Sequence, residues 1–326
     1  MRICFKMLIL DKGYLEIRNK YVRPLAENYI QYRHLKKYNI KNILLNDIQN
    51  VRKNAANEYI IDIDESILFK ALLGDVFLFY IKSIVQKNDF EIIKKNVEIS
   101  PNWNIVTNYY KSFYNASLLL RICFRGNIFL DKDYKKRLSY IVSTHIGEII
   151  ELDSNMFYFV EKTNNGGYGL RLIKSQNNTH ETVWHEINNL LEEIMLLSNK
   201  KSEEKAVLVS CLDINRKLSA TFPSKLRNKV NYQPVYGMEG IDKKLLSITN
   251  GDNWVKKIIG FDVKEIEKND NRLVNIYTAY TTYIEKLAYR LMQDYFEMTG
   301  RENHILAQIN RLRENKIIIE KIPFVY

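Results

Sequence analysis

Residues 103–126 read WNIVTNYYKSFYNASLLLRICFRG, and this stretch decides the fold that we expect for the chain. One helical stripe runs along it, because aromatic, apolar and small residues recur at steps of four, three, four and three, at Tyr109, Phe113, Ala116, Leu120 and Cys123. Ser100 is suited to cap the start of this helix, and Gly126 is the expected stop at its end. We therefore predict that it is the central helix of a helical domain.

The composition is that of a folded protein. Of 326 residues, 46% are hydrophobic and 12% are aromatic, and there are only 12 Gly and 5 Pro. This length provides one large core or two modest ones, at roughly 100–200 residues per domain. No stretch approaches the roughly 18 apolar residues of a membrane span, so we expect a cytoplasmic protein that does not enter a membrane.

The cysteines and the net charge restrict the possible ligands. Cys4, Cys123 and Cys211 are far apart among apolar neighbours, which is typical of buried thiols in a reducing compartment and gives no thiolate zinc site. The net charge is +11, from 49 Lys+Arg against 38 Asp+Glu. An acidic partner such as nucleic acid is compatible with this balance. A general bias towards Lys, Asn and Ile explains it equally well, since the basic residues are scattered.

The periodicity elsewhere is mainly helical, with β-prone segments at both ends and one in the middle. A hairpin is expected from residues 3–10 and 14–18, joined by Asp11-Lys12-Gly13. A helix is expected over 41–56 and a short strand over 59–63. The C-terminal segment 316–325 alternates apolar residues and is predicted to be a strand.

Two domains are predicted from this order. Residues 1–98 hold the hairpin and a helical region, and residues 99–326 hold the main helical domain, with a β insertion at about 146–175. A single continuous domain is the alternative. The insertion is expected to be an antiparallel meander of three strands, at Glu148–Leu152, Met156–Lys162 and Tyr168–Lys174.

No motif indicates a metal or a cofactor. His180 and His185 are five residues apart in HETVWH, so they point about 140° apart on a helix and cannot bind one ion together. The glycine pair Gly166-Gly167 is followed by a strand pattern, whereas a phosphate-binding loop requires a helix there. We therefore expect neither a metal site nor a cofactor.

The most informative polar segment is KLRNKVNYQPVY at 225–236. Arg227 and Asn231 are four residues apart and share a helix face, and Asn228 and Tyr232 are next to them. A guanidinium beside an amide and a phenol suits a phosphodiester, whose charge it neutralises. The alternative is a basic helix end that caps its own carbonyl groups.

Two segments resemble a known family. YYKSFYNASLLLRICFRG at 109–126 resembles the helix of HEPN-fold domains, and STHIGEIIEL at 143–152 is similar to the segment that follows it there. Arg227-Asn228 resembles the start of the HEPN ribonuclease motif, and the chain is also similar to YaaC-like bacterial proteins. The resemblance implies a mainly α, HEPN-like helical bundle that pairs through the 103–126 helix, with Arg121 and Arg125 at the edge of the contact.

The chain departs from the family at its catalytic histidine. HEPN ribonucleases use an arginine and a histidine together, whereas Tyr232 stands where the histidine is expected. A tyrosine, with a reference pKa of about 10, is a poor general base near neutral pH. The resemblance therefore implies a non-catalytic binding or scaffold subunit of a bacterial defence or toxin–antitoxin-type assembly. Its partners would be proteins of the same operon or a second copy of the chain.

The alternative hypothesis is a metal-independent endoribonuclease. Its catalytic residues would be Arg227, Asn228, Asn231 and Tyr232, with His145 supplied from another helix. If the protein binds RNA or another nucleic acid, the expected cationic contacts are Arg227, Lys225, Lys229, Arg121 and Arg125.

Overall fold

The computed structural model describes residues 11–28, 38–96, 99–163, 166–175, 177–199, 202–233, 254–260 and 270–300. The described residues are mainly α with a five-stranded antiparallel sheet, so the predicted mainly α class with an antiparallel β insertion is confirmed. The helices are α1 Lys12–Ile17, α2 Arg23–Glu27, α3 Ile40–Asn46, α4 Glu65–Lys95, α5 Pro101–Ile122, α6 Lys132–Ile146, α7 Thr179–Leu197, α8 Glu203–Leu218, α9 Phe222–Tyr232, α10 Trp254–Ile259 and α11 Asp270–Thr299. A π-helix, Arg18–Val22, joins α1 to α2. The strands are β1 Ile48–Ala55, β2 Glu58–Ile63, β3 Arg125–Phe129, β4 Asn155–Lys162 and β5 Tyr168–Lys174.

Helix α5 is buried along nearly its whole length and packs against α4, α7, α9 and α11. Ser100 caps it as predicted, because its hydroxyl accepts a hydrogen bond of 3.2 Å from the backbone N–H of Asn102. The predicted stop at Gly126 is wrong. The helix ends at Ile122, and Phe124, at φ 60°, turns the chain into β3. Gly126 lies inside that strand, where a Cβ would meet the Tyr158 hydroxyl at 2.9 Å.

The sheet is assembled from distant parts of the chain, in the order β1-β2-β5-β4-β3. β2 pairs with β5 through Ile61↔Leu170, and β3 pairs with β4 through Asn127↔Phe157. The second and third predicted meander strands are therefore present, but they form the middle of a larger sheet. The first, Glu148–Leu152, is not a strand. Its backbone N–H groups at Ile150 and Leu152 donate instead to serine hydroxyls of α6, at 2.8 and 3.0 Å.

Two further predictions in the N-terminal region are wrong. The helix expected over 41–56 is α3 followed by β1, because β1 turns at Asn57, φ 59°, and pairs with β2. Residues 14–18 are helical, not a hairpin strand. Asp11 caps α1 by accepting a 2.7 Å hydrogen bond from the Gly13 N–H. Glycine is required there because a Cβ on Gly13 would collide with Ser198, the residue that follows α7.

The domain boundary expected at residues 98 and 99 falls within a continuous structure. The sheet takes β1 and β2 from one side of it and β3 to β5 from the other. One cluster of buried apolar side chains extends from Tyr14 to Phe296. Full burial of a large apolar side chain contributes about 1.5–3 kcal/mol, so this shared core holds the two halves together.

A buried charge cluster fixes α4, α5 and α11 to one another. Glu285 of α11 lies 2.9 Å from Lys111 of α5 and 2.8 Å from Lys87 of α4. Burial by itself would raise the pKa of Glu285, but the two ammonium groups lower it well below its usual range. The carboxylate therefore stays ionised inside the helical core.

Some predictions lie outside the described residues, namely the first hairpin strand at 3–10 and the C-terminal strand at 316–325. Within the described ranges, none of the helices combines the length and apolar character needed to cross a lipid bilayer.

Candidate anion-binding site around Arg227

The candidate site lies where α5, α7 and α9 meet, and Tyr109 is at its centre. Helix α9 begins at Phe222 with Pro223 in its first turn, where the missing N–H costs nothing. Its buried face packs on α5 and α7. This packing brings Ser224 and Arg227 of α9 to Tyr109, which is 1% exposed.

The Tyr109 hydroxyl contacts polar groups from two other helices. It lies 3.0 Å from His180 Nδ1 and 3.0 Å from Ser224 Oγ, and the Trp184 indole N–H donates to it at 3.4 Å. Burial raises the pKa of Tyr109, so the phenol keeps its proton at neutral pH. The hydroxyl therefore has one proton to donate and two lone pairs to accept with.

Two arrangements of protons satisfy this network. When Tyr109 donates to Ser224, it accepts from Nδ1–H of His180, and Nε2 of the imidazole carries a lone pair. When Ser224 donates to Tyr109, the phenol donates to Nδ1, and Nε2 carries the proton. The same imidazole can thus either accept or donate a proton at Nε2.

Arg227 supplies the positive charge of the site. Its guanidinium carbon lies 5.2 Å from the centre of the Tyr109 ring. The side chain is half-buried, and its buried Nε has no hydrogen-bond partner among the described residues. No carboxylate of the described part of the chain neutralises it. A buried donor without a partner costs about 1–3 kcal/mol, so an anion placed here would be favoured.

His180 is half-buried and lies against aromatic rings. Its ring centre is 4.5 Å from that of Phe113 and 6.4 Å from that of Tyr110. Burial lowers the pKa of His180, and the positive charge of Arg227 lowers it further. The imidazole is therefore neutral at neutral pH, which a proton acceptor requires.

The predicted residues of α9 divide between this cluster and its exposed edge. Lys225, Asn228, Asn231 and Tyr232 are exposed, and Tyr232 shows 74% of its surface. Asn231, four residues on, shares the helix face of the half-buried Arg227, whereas Tyr232, five residues on, lies about 140° around the helix from it. Lys229 is half-buried.

His145 lies elsewhere. It is exposed in the last turn of α6, which packs against α3 and β1. The structure thus joins Arg227 to His180, and His145 is on a helix with different neighbours. The sequence drew attention to His180 only as half of a metal pair with His185. The structure turns His180 inward and leaves His185 exposed.

Arg121 and Arg125 are interior side chains. Arg121 donates to the carbonyl oxygens of Ser117 and Asn127 at 3.2 and 3.3 Å. Arg125 is 8% exposed and lies 2.7 Å from Glu193. Both guanidinium groups donate to internal acceptors, whereas that of Arg227 donates to no described residue; the buried Nε of Arg121, like that of Arg227, has no partner among the described residues.

The described residues contain no group of three or more His, Cys, Asp or Glu side chains that could hold a metal ion. No family model, curated protein or solved structure matches this chain.

Proposed function

We propose that this protein is a HEPN-like, RNA-binding subunit of a bacterial defence or toxin–antitoxin-type assembly in the cytoplasm. Arg227 holds a phosphodiester of the bound strand. The observation that carries the proposal is the half-buried guanidinium of Arg227, whose Nε has no partner among the described residues. A phosphate oxygen supplies both the missing acceptor and the missing negative charge.

The surroundings of Arg227 support a polymeric ligand over a free anion. Asn231 exposes an amide on the helix face of Arg227, and Asn228 and Tyr232 expose an amide and a phenol ring on the same helix. Amides can bond to ribose or base edges, and exposed aromatic rings stack on unpaired bases. The net charge of +11 adds a general attraction for nucleic acid.

A second candidate function is metal-independent RNA cleavage, which the position of His180 favours. His180 and Arg227 both lie against Tyr109, and the imidazole is held neutral. In this reaction Nε2 of His180 takes the proton of a ribose 2′-hydroxyl, and the 2′-oxygen bonds to phosphorus. The bond from phosphorus to the 5′-oxygen breaks, and water protonates the leaving oxygen. The products are a cyclic phosphate and a 5′-hydroxyl end.

Binding is tested by fluorescence anisotropy with a labelled single-stranded RNA over a range of salt concentrations. Arg227→Ala should weaken binding about tenfold and reduce the salt slope by about 1, since one phosphate contact is lost. The matched control is Lys136→Ala, which removes one exposed positive charge from α6. Equal affinities of the Arg227→Ala and Lys136→Ala variants, or no binding by the wild-type protein, would contradict the proposal.

Cleavage is tested by following RNA integrity in the presence of a chelator. His180→Ala should lower the rate by about 100-fold or more, the usual contribution of a general base. His185→Ala, an exposed histidine on the same helix, should leave the rate unchanged. If His145→Ala abolishes cleavage and His180→Ala does not, the assignment to His180 is wrong. Intact RNA with binding retained would leave the non-catalytic subunit as the function.

The assembly itself is tested by co-expression with the products of neighbouring genes, followed by size-exclusion chromatography. A stable complex or a homodimer is the expected result. A monomer with every neighbouring product would rule out the scaffold role.

A further inference from the structure

A second candidate site is a cavity of about 600 Å³, and none of the residues that line it belongs to the Arg227 cluster. Its wall is formed by the π-helix, the turn at 123–125, the facing ends of β4 and β5, and Glu193 of α7. Ligand sites in proteins are commonly clefts of roughly 300–1,000 Å³. The cavity therefore has the volume of a small-molecule site.

Two unusual backbone features line this cavity. The π-helix Arg18–Val22 supplies Asn19, Lys20 and Tyr21 to one wall. Phe124 lines another wall with φ at 60°, a conformation that costs energy for a bulky side chain. Single-turn π-helices and strained residues are both frequent at functional sites. The π-helix and the strained Phe124 therefore mark this cavity as a candidate site by a second criterion, separate from its volume.

The charges of the lining favour an anion. Among the described residues, four basic side chains and two carboxylates line the cavity. Both carboxylates are engaged, since Glu193 lies 2.7 Å from Arg125 and 2.7 Å from Lys20, and Glu161 lies 2.8 Å from Arg171. Lys162 has no carboxylate partner in the described part of the chain. An excess of positive charge is left facing the cavity.

Arg125 gives the site a built-in donor. It is more than nine-tenths buried, and its position is fixed by Glu193, by the Tyr21 hydroxyl at 3.0 Å and by the Cys123 carbonyl at 3.3 Å. Those bonds use Nη2 and Nε, and Nη1 has no hydrogen-bond partner among the described residues. A guanidinium held in this way can donate to a ligand without losing further side-chain entropy.

Aromatic rings form the rest of the lining. The Arg171 guanidinium stacks over Phe159 at 4.3 Å, and Tyr168 lies 6.0 Å from Phe124, ring centre to ring centre. A flat aromatic group can pack against such rings while an anionic group meets the cations.

We propose that this cavity binds a nucleotide, with its phosphates at Lys20, Lys162 and Arg125 and its base against Phe159 and Tyr168. The site is separate from the RNA contact at Arg227, and the proposal does not depend on it.

The test is isothermal titration calorimetry of the full chain with ADP, adenosine and inorganic phosphate. ADP should bind saturably and at least about tenfold more tightly than adenosine or phosphate, because each of these satisfies only half of the site. Lys162→Ala should weaken ADP binding about tenfold, since it removes the unpaired cation. Lys174→Ala, on β5 but outside the lining, should bind ADP like the wild type.

A second variant, Asn19→Trp, places a bulky ring at an exposed position of the lining and should block ADP binding. If circular dichroism shows that Asn19→Trp is unfolded, the ADP affinity of Lys162→Ala tests the proposal by itself. Absence of saturable ADP binding, or an unchanged affinity in Lys162→Ala, would overturn the proposal. Lys162→Ala should bind RNA as tightly as the wild type does. A failure of the nucleotide proposal can therefore be distinguished from a failure of the RNA-binding proposal at Arg227.

Discussion

Nδ1 of His180 lies 3.0 Å from the hydroxyl oxygen of Tyr109, although 71 residues separate them in the chain. The guanidinium of Arg227 lies over the same tyrosine, at 5.2 Å from the ring centre. One buried phenol thus holds a neutral imidazole and an unneutralised cation within a single cluster. The chemistry of the candidate site follows from this arrangement.

Removing the charge of Arg227 should raise the pKa of His180. Burial lowers the pKa of this imidazole, and the nearby positive charge lowers it further. Arg227→Ala removes the second cause, so protonation becomes easier and the pKa rises. An NMR titration of the imidazole resonances measures the pKa of His180 in each variant. Arg227→Lys keeps a positive charge, so the pKa of His180 in this variant should be closer to its wild-type value than in Arg227→Ala. Identical titrations in wild type and Arg227→Ala would contradict the electrostatic contact.

Replacing Tyr109 by Phe should destabilise the fold. The substitution leaves the polar groups of His180, Ser224 and Trp184 without their shared partner. Unsatisfied buried groups cost about 1–3 kcal/mol, which urea denaturation can resolve. The neighbouring Tyr110→Phe is the control and should change stability by no more than about 0.5 kcal/mol. Equal losses in both variants would indicate that the hydroxyl network contributes nothing.

The titration of Glu204 should make the free energy of unfolding decrease as the pH rises. Burial raises the pKa of this carboxyl from 4.5 to about 7 in the folded state, where it contacts the Tyr283 hydroxyl. The folded protein therefore binds a proton that the unfolded chain releases near its lower pKa. The resulting stability is present below about pH 4.5 and is lost as the pH passes through about 7, by up to about 3 kcal/mol.

Glu204→Gln tests this dependence, because glutamine does not titrate. Denaturation between about pH 5 and about pH 8 should give a smaller loss of stability in Glu204→Gln than in the wild type. Glu203→Gln, at the exposed neighbouring position, should follow the wild type. A pH dependence unaltered by Glu204→Gln would assign the effect to other groups.

In the buried charge cluster, replacing the carboxylate of Glu285 should destabilise the fold more than replacing the ammonium group of Lys111. Glu285→Gln leaves Lys111 and Lys87 without their carboxylate, and breaking a buried pair costs about 3–5 kcal/mol. Lys111→Met keeps the pair between Glu285 and Lys87 and fills a similar volume, so a smaller loss is expected. Chemical denaturation of both variants measures their free energies of unfolding and shows which loss is larger. A larger loss in Lys111→Met would contradict it.

The candidate site could be predicted only in part. Arg227 and Asn231 were recognisable because their spacing of four residues places them on one helix face. Tyr109 was predicted as a core residue of the central helix, and its second role as a hydrogen-bonding centre had no sequence signal. His180 was evident only as half of a rejected metal pair. Its true neighbours, Tyr109 and Arg227, are on other helices.

The sequence by itself determined the elements that depend on local interactions. The apolar period places α5, α7 and α8, and Ser100 caps its helix through a contact two residues away. Such signals survive because the interacting groups are within one or two turns of the chain.

Tertiary structure alone decided the sheet and the site. The apolar residues Ile48, Val51 and Ala55 have helical spacing, and pairing with β2, which itself pairs with β5, imposes the strand instead. The turn at Phe124 requires a strained backbone that β3 and its partner β4 stabilise. Arg227 and His180 both contact Tyr109 because α7 and α9 both pack on α5. These contacts join residues far apart in the chain, so their free energy appears only when the whole core has formed.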